Sequence, residues 1–448
     1  MIRNSLSKIL FHMYDKSAGL SISRKLRALE SSQYLKRDTI RAVQEGRLKR
    51  HLAYAYKNSP YWHELFQNLG YSPNLDPFTF LSRLPILTKG KLRHNMSKIL
   101  VPHYKKKIIT TATSGSTGEP IRLYLDTETY SIIKAHLFRH WEWAGYHVGS
   151  PWIWVKTDKH DTLNLKLRDW AFHCTYFSVF KLDERIIKQE LRKIQGSYFS
   201  IIRGYSSGIY VIAKAMIEDK IQDIQVKSAV TTGDNLFPQY RKTIESAFHC
   251  KVYDTYGGDI FSIAGQCECD NYHLNEENTY VEIVDDNDKP MVGDSLGHVI
   301  VTEFNNRVMP LFRYRIGDMA KLKSGYCPCG RTLSLLGSVE GRDSDLILLP
   351  NGRKIVVHFF TIIFENMKGV DQFQVIQEEP LRIIIRLKIN KFFDKTNDEA
   401  YLLTCLRESA GEEARIEFHY CDQIPLSSSG KRRFVISRVV ERQRNEII

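Results

Sequence analysis

Apolar residues recur at three- and four-residue intervals in LESSQYLKRDTIRAVQEGRLKRHLAYAY, and that period predicts helices across 25–70, with a restart at NSPYWHELF after Pro60. Between 150 and 260 the pattern alternates. PWIWV, YFSIIRGY, VKSAVTTG and KVYDTYG read as strands; DERIIKQELRKI, GIYVIAKAMIED and PQYRKTIESAF read as the helices between them. Strands alternating with ten-residue helices predict βαβ units and a parallel sheet. Ligands of such sheets sit beyond the carboxyl ends of the strands. Those ends are GYSSG, TTGDN and TYGGD, small and polar in all three cases, which marks Gly233, Asp234, Tyr256 and Gly257 as candidate ligand contacts.

Residues 275–340 carry short β runs, TYVEIVD, GHVIVTEF and LFRYRIGDMAKL, separated by Gly, Asn and Asp turns. After GSVEGRDSD a separate α+β pattern begins: DLILLPNGRKI, a helix over 356–367, QFQVIQ, LRIIIRLKI, a helix over 397–410 and ARIEFHY. The expected class is α/β (α+β): a large N-terminal domain, 1–340, with parallel βαβ units and a β-rich region, and a small α+β domain, 341–448, with the boundary near Val339 to Asp345.

Composition adds a bias in charge. Lys and Arg number 64 against 51 Asp and Glu, a net charge of +13, which favours anionic partners such as nucleotides, CoA, nucleic acid or a membrane surface. No run of eighteen apolar residues is present, so no bilayer span is expected. In MIRNSLSKILFHMYDKSAGL, Ile2, Leu6, Ile9, Leu10 and Met13 have helical spacing without the features of a secretory signal. Such a basic amphipathic helix packs on its own domain or makes a weak peripheral contact with a membrane. Eight cysteines in so long a chain point to reduced thiols or a metal, and to a cytoplasmic setting.

TATSGSTGEP, 111–120, sits between two strand-like runs. A plain turn needs one or two small residues; a longer hydroxyl- and glycine-rich loop suits wrapping phosphate oxygens. It lacks the Gly-Lys-Ser/Thr of the common NTPase loop, which excludes that class.

The Ser/Thr/Gly loop ending in Gly-x-Pro resembles that of the adenylate-forming superfamily. YDTYGGD (253–259) is similar to the superfamily's adenine-stacking motif and RYRIGD (313–318) to its ribose-binding motif. EGRDSD (340–345) is similar to its hinge and PLSSSGKRR (425–433) to its C-terminal lysine loop, all in the family's order. SPYWHELF, LPILTKGKLRHN and CPCGR resemble the phenylacetate-CoA ligase branch, particularly the CapK-like capsule-biosynthesis proteins. The likeness runs from about Ser32 to Val440.

The resemblance implies ATP, Mg²⁺ and a carboxylic acid as substrates, an acyl-AMP intermediate, and CoA or an amino sugar as the acyl acceptor; nucleic acid is not an expected partner. Both reacting groups are anions, so the site must neutralise charge and align them. Thr113, Ser114, Ser116 and Thr117 then hold phosphate oxygens, with Gly115 and Gly118 letting the main chain approach. Tyr256 stacks on adenine, Asp318 accepts from the ribose hydroxyls and Arg342 offers a fixed fork to ribose or phosphate. Asp259 is the candidate Mg²⁺ carboxylate, one residue earlier than the family's usual acid. Lys431 bridges carboxylate and α-phosphate, carried by a mobile domain hinged at Ser344 or Asp345. Taken singly, the same residues also fit plainer roles: a core aromatic, a turn acid, a surface cation. An adenylate-binding scaffold without catalysis and a basic adaptor are the readings from other classes.

A second constellation lies in GQCECDNYH and YCPCGR. Cys267, His273, Cys327 and Cys329 offer a tetrahedral zinc set, with Cys269 the competitor for Cys267. Four protein ligands leave no open position, so such a metal is structural.

Overall fold

The computed structural model describes residues 2–112, 121–156, 162–178, 184–291, 293–342, 346–351, 354–365, 367–425 and 433–446. Thr113, Ser114, Gly115, Ser116, Thr117 and Gly118, the hinge candidates Ser344 and Asp345, and Lys431 lie outside the described residues.

The helical period of the N-terminal region folds as expected. The helix Arg37–Asn58 buries Ile40, Gln44, Leu48, His51, Leu52 and Ala55 along one stripe. It stops at Ser59, which is extended (φ −106°, ψ 119°) as a residue before proline must be, and Pro60 begins the helix Pro60–Asn68 without losing a hydrogen bond. That helix delivers Trp62 into the core, where its indole N–H donates to the Pro310 carbonyl at 2.9 Å and its ring meets Phe312 edge-on at 4.9 Å. Phe66 and Phe80, 5.0 Å apart, complete the cluster.

The strands are β1 (Ile108–Ala112), β2 (Arg122–Asp126), β3 (Trp152–Lys156), β4 (Cys174–Ser178), β5 (Tyr198–Gly204), β6 (Gln225–Thr232), β7 (Lys251–Tyr256), β8 (Ala264–Gln266), β9 (Tyr272–Leu274), β10 (Thr279–Val284), β11 (Gly297–Glu303), β12 (Tyr314–Lys323), β13 (Leu335–Arg342), β14 (Leu346–Leu348), β15 (Lys354–Val356), β16 (Val370–Glu379), β17 (Arg382–Ile389), β18 (Arg415–Tyr420) and β19 (Val435–Ser437). An eleven-stranded sheet has the order β10-β11-β12-β13-β9-β8-β7-β6-β5-β3-β4. From β4 to β7 its neighbours are parallel. β5 is buried from Phe199 to Gly204, because helices cover both faces of a parallel sheet. At β7 the sheet turns antiparallel through β8 and β9. β1 and β2 pair separately as an antiparallel ribbon flanking the small-residue loop.

The helix Thr127–Trp143, the helix Leu163–Ala171 and β4 are not among the elements expected from the sequence and emerge only in the fold. In the first of these, HLFRHWEW builds the interior. Arg139, 1% exposed, donates to Glu277 Oε1 at 2.7 Å and Asn275 Oδ1 at 2.8 Å, and His140 Nε2 lies 3.0 Å from the same Asn275 oxygen. A buried pair of this kind is tolerated because both Glu277 oxygens and the Asn275 oxygen accept from the guanidinium.

The chain separates into two compact units, one of Met1–Thr113, Ile121–Ile316 and Ala320–Ser338, the other including Gly317–Met319 and Val339–Ile448. The second contains a four-stranded sheet, β18-β17-β16-β19, with β16 and β17 antiparallel and the outer pairs parallel. Gln377, fully buried on β16, donates to the Leu348 carbonyl at 2.7 Å and accepts from Ser437 Oγ at 2.5 Å, tying β14 and β19 to the sheet. Among the described residues no helix is long and apolar enough to cross a membrane.

Candidate active site and metal centre

Three of the sequence's small polar segments stand at the carboxyl ends of neighbouring parallel strands. GYSSG follows β5, TTGDN ends β6 and TYGGD ends β7. Gly233 takes φ +81°, a left-handed conformation that lets the chain turn sharply off β6. That turn aims Asp234 at the start of the helix Ser206–Glu218, whose preceding residue, Tyr205, offers no side-chain cap. Asp234 Oδ1 accepts from the Ser206 backbone N–H at 2.6 Å and the Ser206 hydroxyl at 2.8 Å. Oδ2 accepts from the Ser207 N–H at 3.2 Å and the Ser207 hydroxyl at 2.5 Å. A carboxylate at a helix N-terminus satisfies orphan donors and meets the positive end of the dipole. Asp234 therefore links two of the three strand ends. Ser206 and Ser207 were legible only as polar residues, because their partner is 27 and 28 positions away.

Tyr256 is the last residue of β7 and is 9% exposed, so its ring is held by packing and only a small part of it faces solvent. Gly257 follows at φ +86°; a Cβ there would lie 2.6 Å from the backbone nitrogen of Ile263. The tight turn is closed by the Ile263 N–H donating to the Tyr256 carbonyl at 2.9 Å. Asp259 falls in the short helix Gly258–Phe261. Asp318 lies within β12, half-buried, and Arg342 is the last residue of β13.

One layer beneath, Asp254 accepts from Thr231 Oγ1 and Tyr272 Oη, each at 2.5 Å. Burial raises its carboxyl to about 6 against the pull of those two donors.

The cysteine constellation is assembled by the antiparallel half of the sheet. Cys267 directly follows β8, His273 is on β9 opposite Leu335 of β13, and Cys327 and Cys329 precede β13. The ligand atoms of Cys267, His273, Cys327 and Cys329 all lie within 4.8 Å of one another. Cys267 and Cys327 sulfurs are 3.5 Å apart, and Cys329 Sγ is 3.3 Å from His273 Nε2. A tetrahedron with sulfur at about 2.3 Å from zinc needs sulfur–sulfur separations near 3.8 Å, so the donor set and its size fit that ion. Cys269 is not one of the four: its backbone N–H donates to Cys267 Sγ at 3.4 Å, and the Asn271 amide donates to Cys327 Sγ at 3.3 Å. Burial, then the adjacent Arg331, lower the His273 ring to about 4, leaving it neutral as a ligand must be. Arg331 is pinned between both oxygens of Glu268 and the side-chain oxygen Oε1 of Gln33, with its guanidinium 4.5 Å over Trp143. All eight cysteines are free thiols.

Comparison with known proteins agrees with this architecture. A family model described as the CapK C-terminal domain matches residues 347–438. Protein CapK of Staphylococcus aureus is 24% identical over 421 residues, covering 89% of either chain. Phenylacetate-coenzyme A ligase of Thermus thermophilus is 25% identical over 352 residues, 76% of this chain and 79% of its own. Among solved structures, 2-hydroxyisobutyryl-CoA ligase in the postadenylation state, in complex with 2-HIB-AMP, superposes with a TM-score of 0.70 at 19% identity, over 93% of this chain and 95% of that one.

Proposed function

We propose, from the premise that the chain belongs to the adenylate-forming superfamily in its CapK and phenylacetate-CoA ligase branch, that it activates a carboxylic acid with ATP and passes the acyl group to CoA. The observation that carries the reading is the row of polar turns at the carboxyl ends of β5, β6 and β7, where an open parallel sheet receives its ligand.

A carboxylate oxygen attacks the α-phosphorus of ATP, the bond to the bridging oxygen breaks, and pyrophosphate leaves. The CoA thiol then gives up its proton, its sulfur attacks the acyl carbonyl, and AMP departs. Ser114, Ser116 and Thr117 hold the β- and γ-phosphates; the Tyr256 ring bounds the adenine; Asp318 takes the ribose hydroxyls. Asp259 is the carboxylate for the Mg²⁺ that accompanies ATP, and Lys431 neutralises the oxygens as the two anions meet. Asp234 orients rather than binds: with its oxygens committed to Ser206 and Ser207, it fixes the turns around the pocket.

Zinc held by Cys267, His273, Cys327 and Cys329 would cross-link two loops and supply folding energy, with no open position for chemistry.

Exchange of labelled pyrophosphate into ATP, with Mg²⁺ and pooled carboxylic acids, tests the first half-reaction. Acid-dependent exchange is expected; its absence with every pool would leave the non-catalytic scaffold as the better reading. A second acceptor, the amino group of a sugar, is the alternative that the resemblance to CapK-like capsule-biosynthesis proteins implies. Offering CoA and amino sugars in parallel to the acyl-AMP decides between thioester and amide.

A further inference from the structure

The helix Ile2–Ser17 is amphipathic in the reverse sense. Its inward face carries Ser7, Phe11 and Asp15: Phe11 packs on Phe138 at 5.3 Å, and Asp15 accepts from the backbone N–H groups of Ile22 at 2.9 Å and Ser23 at 3.0 Å. The opposite face, turned to solvent, carries Ile2, Leu6, Ile9 and Met13, with Ile2 88% and Met13 62% exposed. At 100° per residue these four fall within one narrow stripe, roughly half a turn from the buried one.

The neighbouring helix Leu163–Ala171 repeats the arrangement. Leu163, Leu167 and Trp170, at i, i+4 and i+7, are 71%, 56% and 55% exposed, while Asp169 is buried. The two helices meet through Phe172, whose ring lies 6.0 Å from Phe11 and 5.4 Å from Tyr14. Scattered surface leucines need no explanation; two adjacent periodic stripes, one holding a tryptophan, do. The charges complete the picture. Among the described residues of these two helices the exposed charged side chains are Arg3, Lys8, which has Glu142 nearby, Lys16 and Lys166; Arg168 pairs with Asp169 at 3.1 Å, and both aspartates of these helices are turned inward.

We propose that the outer faces of these two helices are a docking surface for an anionic phospholipid bilayer. Apolar side chains enter the headgroup boundary while the basic ones meet lipid phosphates, the combination that holds an interfacial helix. Among the described residues of the two helices every exposed charge is basic, so two copies pressed face to face would oppose like charges there, and the surface suits an anionic lipid better than itself. The proposal is independent of the acid and acceptor used at the active site.

Sedimentation of the full chain with vesicles of phosphatidylcholine alone, or with about a third phosphatidylglycerol, tests it. The protein should pellet with the anionic vesicles only, with several-fold less bound at about 0.5 M salt. The double variant Ile9→Glu, Leu167→Glu should bind at least tenfold less, with pyrophosphate exchange unchanged as the measure of an intact fold. Should that variant fail to fold, Trp170→Ala, which truncates an exposed ring, should still weaken binding several-fold. Failure of the wild type to pellet with anionic vesicles, or equal pelleting by the variants, overturns the proposal. So does vesicle-free ultracentrifugation showing a dimer that the same substitutions dissociate, since the face would then be a self-contact.

Discussion

The sulfurs of Cys267 and Cys327 lie 3.5 Å apart across sixty residues of sequence, and no disulfide joins them. With Cys329 and His273 beside them the two sulfurs make a cluster that, as thiolates, repels itself unless a cation is shared. The purified protein should contain about one zinc per chain by the four-ligand stoichiometry. Cys327→Ser should lose the metal and several kcal/mol of stability, whereas Cys269→Ser should keep both. Elemental analysis and thermal melting of the two variants check this; zinc retained by Cys327→Ser would remove the assignment.

Glu303, at the end of β11, is 2% exposed, and burial, reinforced by the negative charge of Asp126, raises its carboxyl to about 8. The folded state thus holds a proton that the unfolded glutamate releases near pH 4.5. The contribution to stability is complete below that value and is lost as pH rises through about 8. Wild type should therefore weaken between pH 5 and 9 by up to a few kcal/mol more than Glu303→Gln, which cannot ionise. Denaturant melts of both proteins across that range provide the comparison; parallel slopes would contradict it.

Gly257→Ala places a Cβ 2.6 Å from Ile263 N at a φ of +86°. Backbone cannot yield as a flexible side chain can, so the turn beneath Tyr256 should shift at a cost of about 1–3 kcal/mol. The expected result is a raised KM for ATP in pyrophosphate exchange, with zinc content unchanged.

Asp234→Ala removes the acceptor for four donors at the start of the helix Ser206–Glu218. A lost cap costs about 1–2 kcal/mol, and Asp234→Asn should recover part of it. If Asp234 instead served the nucleotide directly, the ATP KM would rise in both variants with little change in melting temperature.

Lys431→Ala should slow adenylate formation by about 10²–10³-fold, the range for removal of a group that stabilises developing charge. Thr117→Ala should raise the KM for ATP. Thioester formation from preformed acyl-AMP should survive Lys431→Ala, which separates a lysine used in one half-reaction from a solvated tail cation. Equal loss in both half-reactions would argue against the hinged lysine.

Local pattern determined much of this protein. The helical period ending before Pro60, the alternation that produces β5, β6 and β7, and the polar character of their ends are properties of short windows, fixed by side-chain period and by the backbone limits of Pro and Gly. The Cys-Pro-Cys-Gly segment and its distant His273 were recognisable as candidate ligands by residue type. What only the tertiary structure decided depends on partners far apart in the chain. Sequence could not choose Cys267 over Cys269 by geometry, since the choice follows from which sulfur the β8–β9 turn directs toward Cys327. It could not show that Asp234 caps a helix beginning 28 residues earlier, or that Arg139 and His140 answer Asn275 and Glu277 inside the core. Nor could it orient the first helix: Ile2, Leu6, Ile9 and Met13 have the spacing of a core stripe, yet Phe11 and Asp15 take the inward face. A period states that one face of a helix is apolar; the groups waiting on the rest of the fold decide where that face points.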